Sequence, residues 1–229
     1  LLQSMNLHKR TEAVEIFGPE GIDEFIVANI KVLNFGLSFP VFISKINEGV
    51  IVDEKDYSIS VSDAKHGIPA FSFRFDEKDR PGQFFPEKAK ALEIPQGKLW
   101  HELQTGNSIE LNGKKIVPSQ VTGDKRPGKK IGISGDTRPS DKLVEFFKNC
   151  DYLSFDSTFA DELKDKAIEA NHSTAKEAAE LAEKANVSTL ILTHFSARYN
   201  DESVLLDEAK EVHDNTIAAR DLLEVNILK

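Results

Sequence analysis

The chain has 229 residues, 40% of them apolar and 29% charged, the make-up of a globular protein built on one large domain. Acidic residues outnumber Lys and Arg by 38 to 29, and the net charge of −9 argues against sequence-independent coating of DNA or RNA. No apolar run approaches the ~18 residues of a membrane span, and a single cysteine, Cys150, excludes an internal disulfide and suits a reducing cytoplasm.

Leu1-Leu-Gln-Ser-Met5 has no initiator methionine and no cleavable signal pattern, and it reads like the middle of a helix. Further residues are therefore expected before Leu1. Glu12 to Phe17 alternates as a strand and stops at the Gly18-Pro19 turn. Asp23 to Leu33 places Phe25, Ile26, Ile30 and Leu33 at the spacing of an amphipathic helix. Val41–Ile46, Gly49–Asp53 and Tyr57–Ser62 are short and β-branched, which predicts a run of antiparallel strands. After His66-Gly-Ile-Pro69, Ala70–Phe75 alternates again.

From Asp79 to Gly128 proline and glycine recur, and core-forming periodicity weakens. One short helix is predicted, from Glu87 to Leu92. A stretch of this length with little core of its own reads as a protruding, functional insertion.

The remaining third alternates strand and helix. Three segments run an apolar stretch into a lone polar side chain: Lys129–Asp136, Cys150–Asp156 and Val187–His194. Helices are predicted between and after them. Ser140 is placed to cap the first, Thr174-Ala-Lys-Glu177 forms a capping box for another, and Ser203–His213 reads as a third. Thr216–Ala219 predicts a last strand. Such a pattern is that of a layered α/β sheet, whose strand ends carry the chemistry.

Two carboxylates and a histidine converging on one sheet edge suggest a hydrolytic metal site. Asp136 follows Gly135, which allows a tight turn and leaves room for a metal or phosphate, although Asp136 could equally cap the helix at Ser140. His194 ends the most apolar strand, and a neutral imidazole there is a good ligand for zinc or manganese. Arg198, one turn on, could grip a phosphate or form a salt bridge. His66 at a hairpin apex is either solvated or a ligand. His172 stands just outside a helix N-terminus, where Ser173, Thr174 and free N–H groups could take a phosphate and Asp156 could pair with the ring; plain capping is the other reading. Cys150 reads as a small buried filler, and His8, His101 and His213 as surface residues.

Five segments together resemble one family. His66-Gly-Ile-Pro69, Asp76-Glu-Lys-Asp-Arg-Pro-Gly82, Ser134-Gly-Asp-Thr-Arg138, Asn171-His-Ser-Thr-Ala-Lys-Glu-Ala-Ala179 and Leu192-Thr-His-Phe-Ser-Ala-Arg-Tyr199 resemble, in order, the short form of ribonuclease Z. That family comprises tRNA 3′-processing endonucleases of the metallo-β-lactamase fold. Ala218–Asn226 is similar to its C-terminus, so the likeness runs over nearly the whole chain.

The resemblance implies an αββα sandwich over residues 1–229, lacking its first strands, with residues 80–128 as a flexible arm that grips tRNA. Arg80, Lys88, Lys90 and Lys98 would be the arm's contacts. It implies two zinc ions per subunit, with manganese as a substitute: His66 on one ion, Asp136 bridging, His194 on the other. Asp156, where the family usually has glutamate, and His172 would protonate the leaving 3′ oxygen. Arg198, Ser173 and Thr174 would hold phosphate. The family's His-x-His-x-Asp-His motif is expected shortly before Leu1, and without it the fragment is expected to be inactive. The implied activity is zinc-dependent removal of the 3′ trailer from precursor tRNA, leaving a 3′ hydroxyl on the tRNA and a 5′ phosphate on the trailer. A cytoplasmic homodimer is implied, with no membrane or DNA partner. Two rivals are a small-molecule phosphodiesterase of the same fold and a non-catalytic RNA-binding subunit.

Overall fold

The computed structural model describes residues 1–227. A seven-stranded sheet dominates it. Its strands in chain order are β3 (Gly49–Asp53), β4 (Tyr57–Ala64), β5 (Ala70–Glu77), β8 (Lys130–Ile133), β9 (Tyr152–Asp156), β10 (Thr189–Thr193) and β11 (Thr216–Ala218). They lie side by side as β11-β10-β9-β8-β5-β4-β3. β8 to β11 are parallel, joined through helices α5 (Asp141–Phe146), α6 (Lys164–Ala170), α7 (Ala175–Lys184) and α8 (Ser203–Lys210). β3, β4 and β5 form an antiparallel meander, and β5 joins the parallel half by pairing antiparallel with β8.

The core sits between the parallel strands and these helices. Period-two alternation turns Leu153, Phe155, Leu190 and Leu192 to the helix side, where all are fully buried. Ala175, Ala178, Ala179 and Ala182 face them from α7, and side chains this small let the helix lie close against the sheet. Gly132 in β8 has the same purpose. A Cβ there would stand 2.5 Å from the Phe147 ring. The expected caps are present: Ser140 Oγ accepts from Leu143 N, and Thr174 and Glu177 form a reciprocal box at the start of α7.

Three expectations need correction. Val41–Lys45 (β2) does not join the meander; it pairs parallel with β1 (Val14–Gly18), with α2 (Ile22–Val32) as the crossover between them. Its own apolar alternation could not distinguish the two partners. His213 is buried rather than on the surface, packed behind α8 with Nδ1 3.0 Å from Glu183 Oε2. The insertion also has a core. Ala89, Ile94, Leu103, Ile109, Ile116 and Val121 bury together, drawn from α3 (Pro86–Ala91), α4 (Lys98–Gln104) and the hairpin β6 (Ile109–Leu111)–β7 (Lys114–Ile116), with Ile94 and Val121 coming from connecting segments. Trp100 covers this cluster and donates its Nε1–H to the Ile94 carbonyl at 2.9 Å. The apolar residues come singly from several short elements, so no one window shows the periodicity.

The insertion leaves the sheet through a narrow stem in which Arg80 bridges to Arg126 and Phe84 to Thr122. Two glycines let the stem's chains approach so closely. A Cβ on Gly82 would lie 2.0 Å from the Gly123 oxygen, and one on Gly128 would lie 1.9 Å from the Glu77 oxygen. Before β1, α1 (Leu2–Leu7) matches the helix expected at the chain's start. No helix of the described residues is long and apolar enough to cross a membrane.

Cys150 is fully buried and free, as expected of a filler, and burial pushes its thiol up to about 11. An unfolded thiol near 9.0 releases its proton earlier than the folded one. This contribution to stability is therefore complete below pH 9 and is lost as pH rises through 11, at about 1.4 kcal/mol per unit of separation. Denaturant melts should show wild type losing more stability than Cys150→Ala between pH 9 and 11. Parallel losses in the two proteins would show that the thiol does not titrate this way.

Candidate metal centre

β8, β9 and β10 are parallel, and β4 runs in the same direction two places along the sheet, so all four end at one edge. Each end delivers a polar side chain. Asp136 follows β8, Asp156 closes β9, His194 follows β10, and His66 follows β4. The turn between α6 and α7 adds His172. The local backbone is bent to make this possible. Gly135 (φ +61) turns the chain so closely under β5 that a Cβ would lie 2.9 Å from the Phe71 oxygen. His194 itself adopts φ +64, a left-handed conformation uncommon outside glycine, which swings its ring off the strand line toward Asp136.

The three imidazoles form a row with His172 in the middle. Its ring centre is 4.8 Å from that of His66 and 4.9 Å from that of His194. Asp136 lies against this row: its Oδ2 is 3.5 Å from His194 Nε2, and it groups with His66 and His172 within metal-binding reach. The three expected ligands, His66, Asp136 and His194, thus come together. Ser140 caps α5 by itself, which leaves the Asp136 carboxylate free for the site.

Hydrogen bonds fix which ring nitrogen of each histidine carries a proton. His66 Nδ1 is 3.1 Å from the Asn171 carbonyl oxygen, which can only accept, so Nδ1 bears the hydrogen and Nε2 the lone pair. Thr158 Oγ has one proton to give and two neighbours, Asp156 Oδ1 at 2.7 Å and His194 Nδ1 at 2.8 Å. The carboxylate must accept, so Thr158 donates to it and accepts from His194 Nδ1–H. The His194 lone pair then also resides on Nε2, the atom facing Asp136. Two Nε2 lone pairs and a carboxylate make a mixed nitrogen–oxygen donor set that fits a divalent transition metal.

Asp156 is fully buried and takes four donors: Thr137 N at 3.0 Å, Thr158 N at 3.1 Å, Thr158 Oγ, and His172 Nδ1 at 2.7 Å. Its oxygens are occupied, so it belongs to His172 rather than to a metal. The short aspartate side chain reaches that ring because the end of β9 brings its backbone near.

Two expected groups of contacts are corrected. Ser173 and Thr174 are fully buried, with Ser173 Oγ donating to the Thr137 carbonyl and Thr174 Oγ accepting from Glu177 N. Neither hydroxyl is available to a phosphate. Arg80 lies half-buried in the stem beside Glu77, at 3.3 Å, and not on the insertion's outer face. Lys88, Lys90 and Lys98 are each exposed on the insertion. Arg198 is also exposed. It stacks 4.8 Å over the Phe159 ring, its Nε donates to Ser196 Oγ, and no carboxylate pairs with it among the described residues.

Sequence reasoning missed Thr158, Asn171 and Arg138. Thr158 and Asn171 act through hydroxyl and carbonyl groups that almost any loop contains. The one available signal was Asn171 at a helix end, a residue tolerant of the left-handed conformation it adopts (φ +58). Arg138 stood within a quoted motif but carried no assigned role.

A model of the Beta-lactamase superfamily domain matches residues 83–195, which run from the stem through His194. The human short-form tRNase Z (ELAC1) crystal structure has a similar fold, with a TM-score of 0.66 at 22% identity over 100% of this chain and 72% of that one. The chain thus has the metallo-β-lactamase type of fold, with a candidate metal centre at the sheet edge.

The sequence relatives are more specific. A ribonuclease Z of Nitrosopumilus maritimus is 59% identical over 227 residues, covering 99% of this chain and 76% of the relative. One of Methanosarcina mazei is 40% identical over 229 residues, covering 99% and 75%. The chain belongs to the ribonuclease Z family.

Proposed function

We propose that this protein is an endoribonuclease that removes the 3′ trailer of precursor tRNA, using two zinc ions per subunit for which manganese can substitute. The observation that carries the reading is the imidazole row at Asp136, with His194 Nε2 3.5 Å from its Oδ2 and His66 grouped with it within metal-binding reach. His66 and His194 would each hold an ion and Asp136 would bridge them. When bound, such ions supply a Lewis acid for the phosphoryl oxygens and acidify water.

The chain's own residues account for the rest. Arg198 presents the free edge of its guanidinium beside the row and holds the scissile phosphate there, with Phe159 keeping the fork flat. Cleavage forms a bond from water oxygen to phosphorus, the water's proton passing to solvent, and breaks the bond from phosphorus to the tRNA 3′ oxygen. That oxygen leaves as a poor, basic alkoxide unless it receives a proton. His172, charged and with Nδ1–H held by Asp156, gives up its Nε2 proton to it. The tRNA then ends in a 3′ hydroxyl and the trailer begins with a 5′ phosphate.

Residues 80–128 act as the arm that grips tRNA away from the cut, through Lys88, Lys90 and Lys98 on a module with its own core. A homodimer is the proposed assembly, supported by exposed Val27 and Val32 on α2 and Leu33 at its C-cap. A cytoplasmic location is proposed from the unpaired buried thiol.

Deleting Arg80–Gly128 tests this reading. The flanking chains already touch, with Glu77 N donating to the Lys129 oxygen at 2.8 Å, so the sheet can close without the insertion. Cleavage of precursor tRNA should fall by about 100-fold or more in kcat/KM, because binding energy remote from the phosphate is lost. Hydrolysis of a small phosphodiester should persist. Equal loss on both substrates would count against an RNA-gripping arm.

A further inference from the structure

Arg138 follows the proposed bridging aspartate by two residues, and its side chain is almost buried, at 11% exposure. Its guanidinium makes a bidentate pair with Glu177, Nη1 donating to Oε2 at 2.7 Å and Nη2 donating to Oε1. The same Nη1 donates to the main-chain oxygen of His172 at 2.5 Å. Its backbone N–H donates to the Lys65 carbonyl at 2.9 Å, one residue before His66. Glu177, in turn, accepts from Thr174 N at 3.1 Å and so locks the start of α7 just after His172. One arginine therefore ties together the loop of His66, the turn of His172 and the helix that follows.

His172 depends on that tie. Its ring direction is set by Asp156, but ring direction alone does not fix where the Nε2 proton sits. The main chain of the α6–α7 turn does, and it is held by His172 N donating to Ala167 O at 2.9 Å and by Arg138 on the carbonyl. A planar fork that meets a carboxylate with two parallel bonds and a carbonyl with a third has few alternative positions. A lysine ammonium on a flexible stem cannot reproduce it.

We propose that Arg138 is a positioning residue for proton delivery, holding the His172 imidazole at its distance from the leaving 3′ oxygen through the His172 carbonyl and Glu177. This rests on the reading of His172 as the acid. Misplacing a proton donor by about 1 Å can cost roughly 100-fold in rate. The cost falls only on leaving groups that need the proton.

The full-length, metal-loaded enzyme should be assayed on precursor tRNA and on bis(p-nitrophenyl) phosphate, whose leaving phenolate departs without protonation. Arg138→Lys should lower kcat on precursor tRNA by about 10–100-fold while KM, metal content and hydrolysis of the activated diester stay within about threefold. Glu177→Gln, which keeps the arginine–carbonyl contact, should show the same selectivity more weakly, and it decides the matter if Arg138→Lys does not fold. His172→Ala is the control for the underlying reading. If it harms both substrates alike, His172 is not the acid. If it is selective but Arg138→Lys and Glu177→Gln slow both substrates equally, lose metal or slow neither, the positioning role is overturned.

Discussion

Replacing Asp136 by asparagine in the metal-loaded enzyme is expected to reduce bound metal and to lower phosphodiester hydrolysis by about 1,000-fold or more, a loss of at least about 4 kcal/mol. Asparagine keeps the shape but removes the negative charge and one of two ligating oxygens. The Asp136 side chain is 43% exposed and, among the described residues, has no side-chain partner beyond its approach to His194. Without metal, stability should therefore stay within about 0.5 kcal/mol of wild type. With metal present the two proteins should separate, because a ligand stabilises only the form that binds it. Metal analysis, thermal melts with and without added zinc, and kcat decide it. Full metal content with less than tenfold loss of rate would leave Asp136 a bystander of the imidazole row.

The alternation of strand and helix after Lys129 was legible because each element declares itself locally. Leu190-Ile-Leu192 is a short apolar run bounded by threonines, Ser140 and Thr174 sit where caps belong, and alanines recur at helical spacing through α7. The ends of β8, β9 and β10 follow from this, and with them Asp136, Asp156 and His194 on one edge. Long-range choices were not legible. β2 has the composition of a meander strand, yet it pairs with β1 across an intervening helix, and nothing in its own residues selects between partners. The core of the insertion is assembled from single residues of four short elements and the segments between them, so it carries no period. Ser173 and Thr174 are polar and sit beside a helix N-terminus, the usual marks of an anion site. Their hydroxyls are instead consumed by Thr137 and by the cap, and only coordinates reveal that competition. The proton placement on His66 and His194 was likewise hidden. It depends on a carbonyl at Asn171 and a hydroxyl at Thr158, groups whose role is set by position and not by type.

Asp156→Asn is the second large effect expected, and it separates the acid pair from the metal ligands. The carboxylate takes four donors in a fully buried place, two on each oxygen. An amide offers one accepting oxygen and one donating nitrogen. If the oxygen faces Thr158, the NH2 group confronts the Thr137 N–H and forces His172 Nδ1 to accept, which removes the doubly protonated ring that proton delivery needs. If the oxygen faces His172, the NH2 group confronts the Thr158 N–H. Thr158 Oγ must then accept there as well as from His194 Nδ1–H, and its own proton loses the carboxylate that held it. Either orientation strands a buried donor, at a cost of about 1–3 kcal/mol of stability. kcat on precursor tRNA should drop by about 100- to 10,000-fold, the range for losing a general acid or its orienting carboxylate. KM should hardly change, because Asp156 is sealed from the substrate. Steady-state kinetics beside denaturant melts give the answer. A variant that is destabilised as expected but turns over within about threefold of wild type would mean that Asp156 only shapes the loop, and that the proton comes from elsewhere.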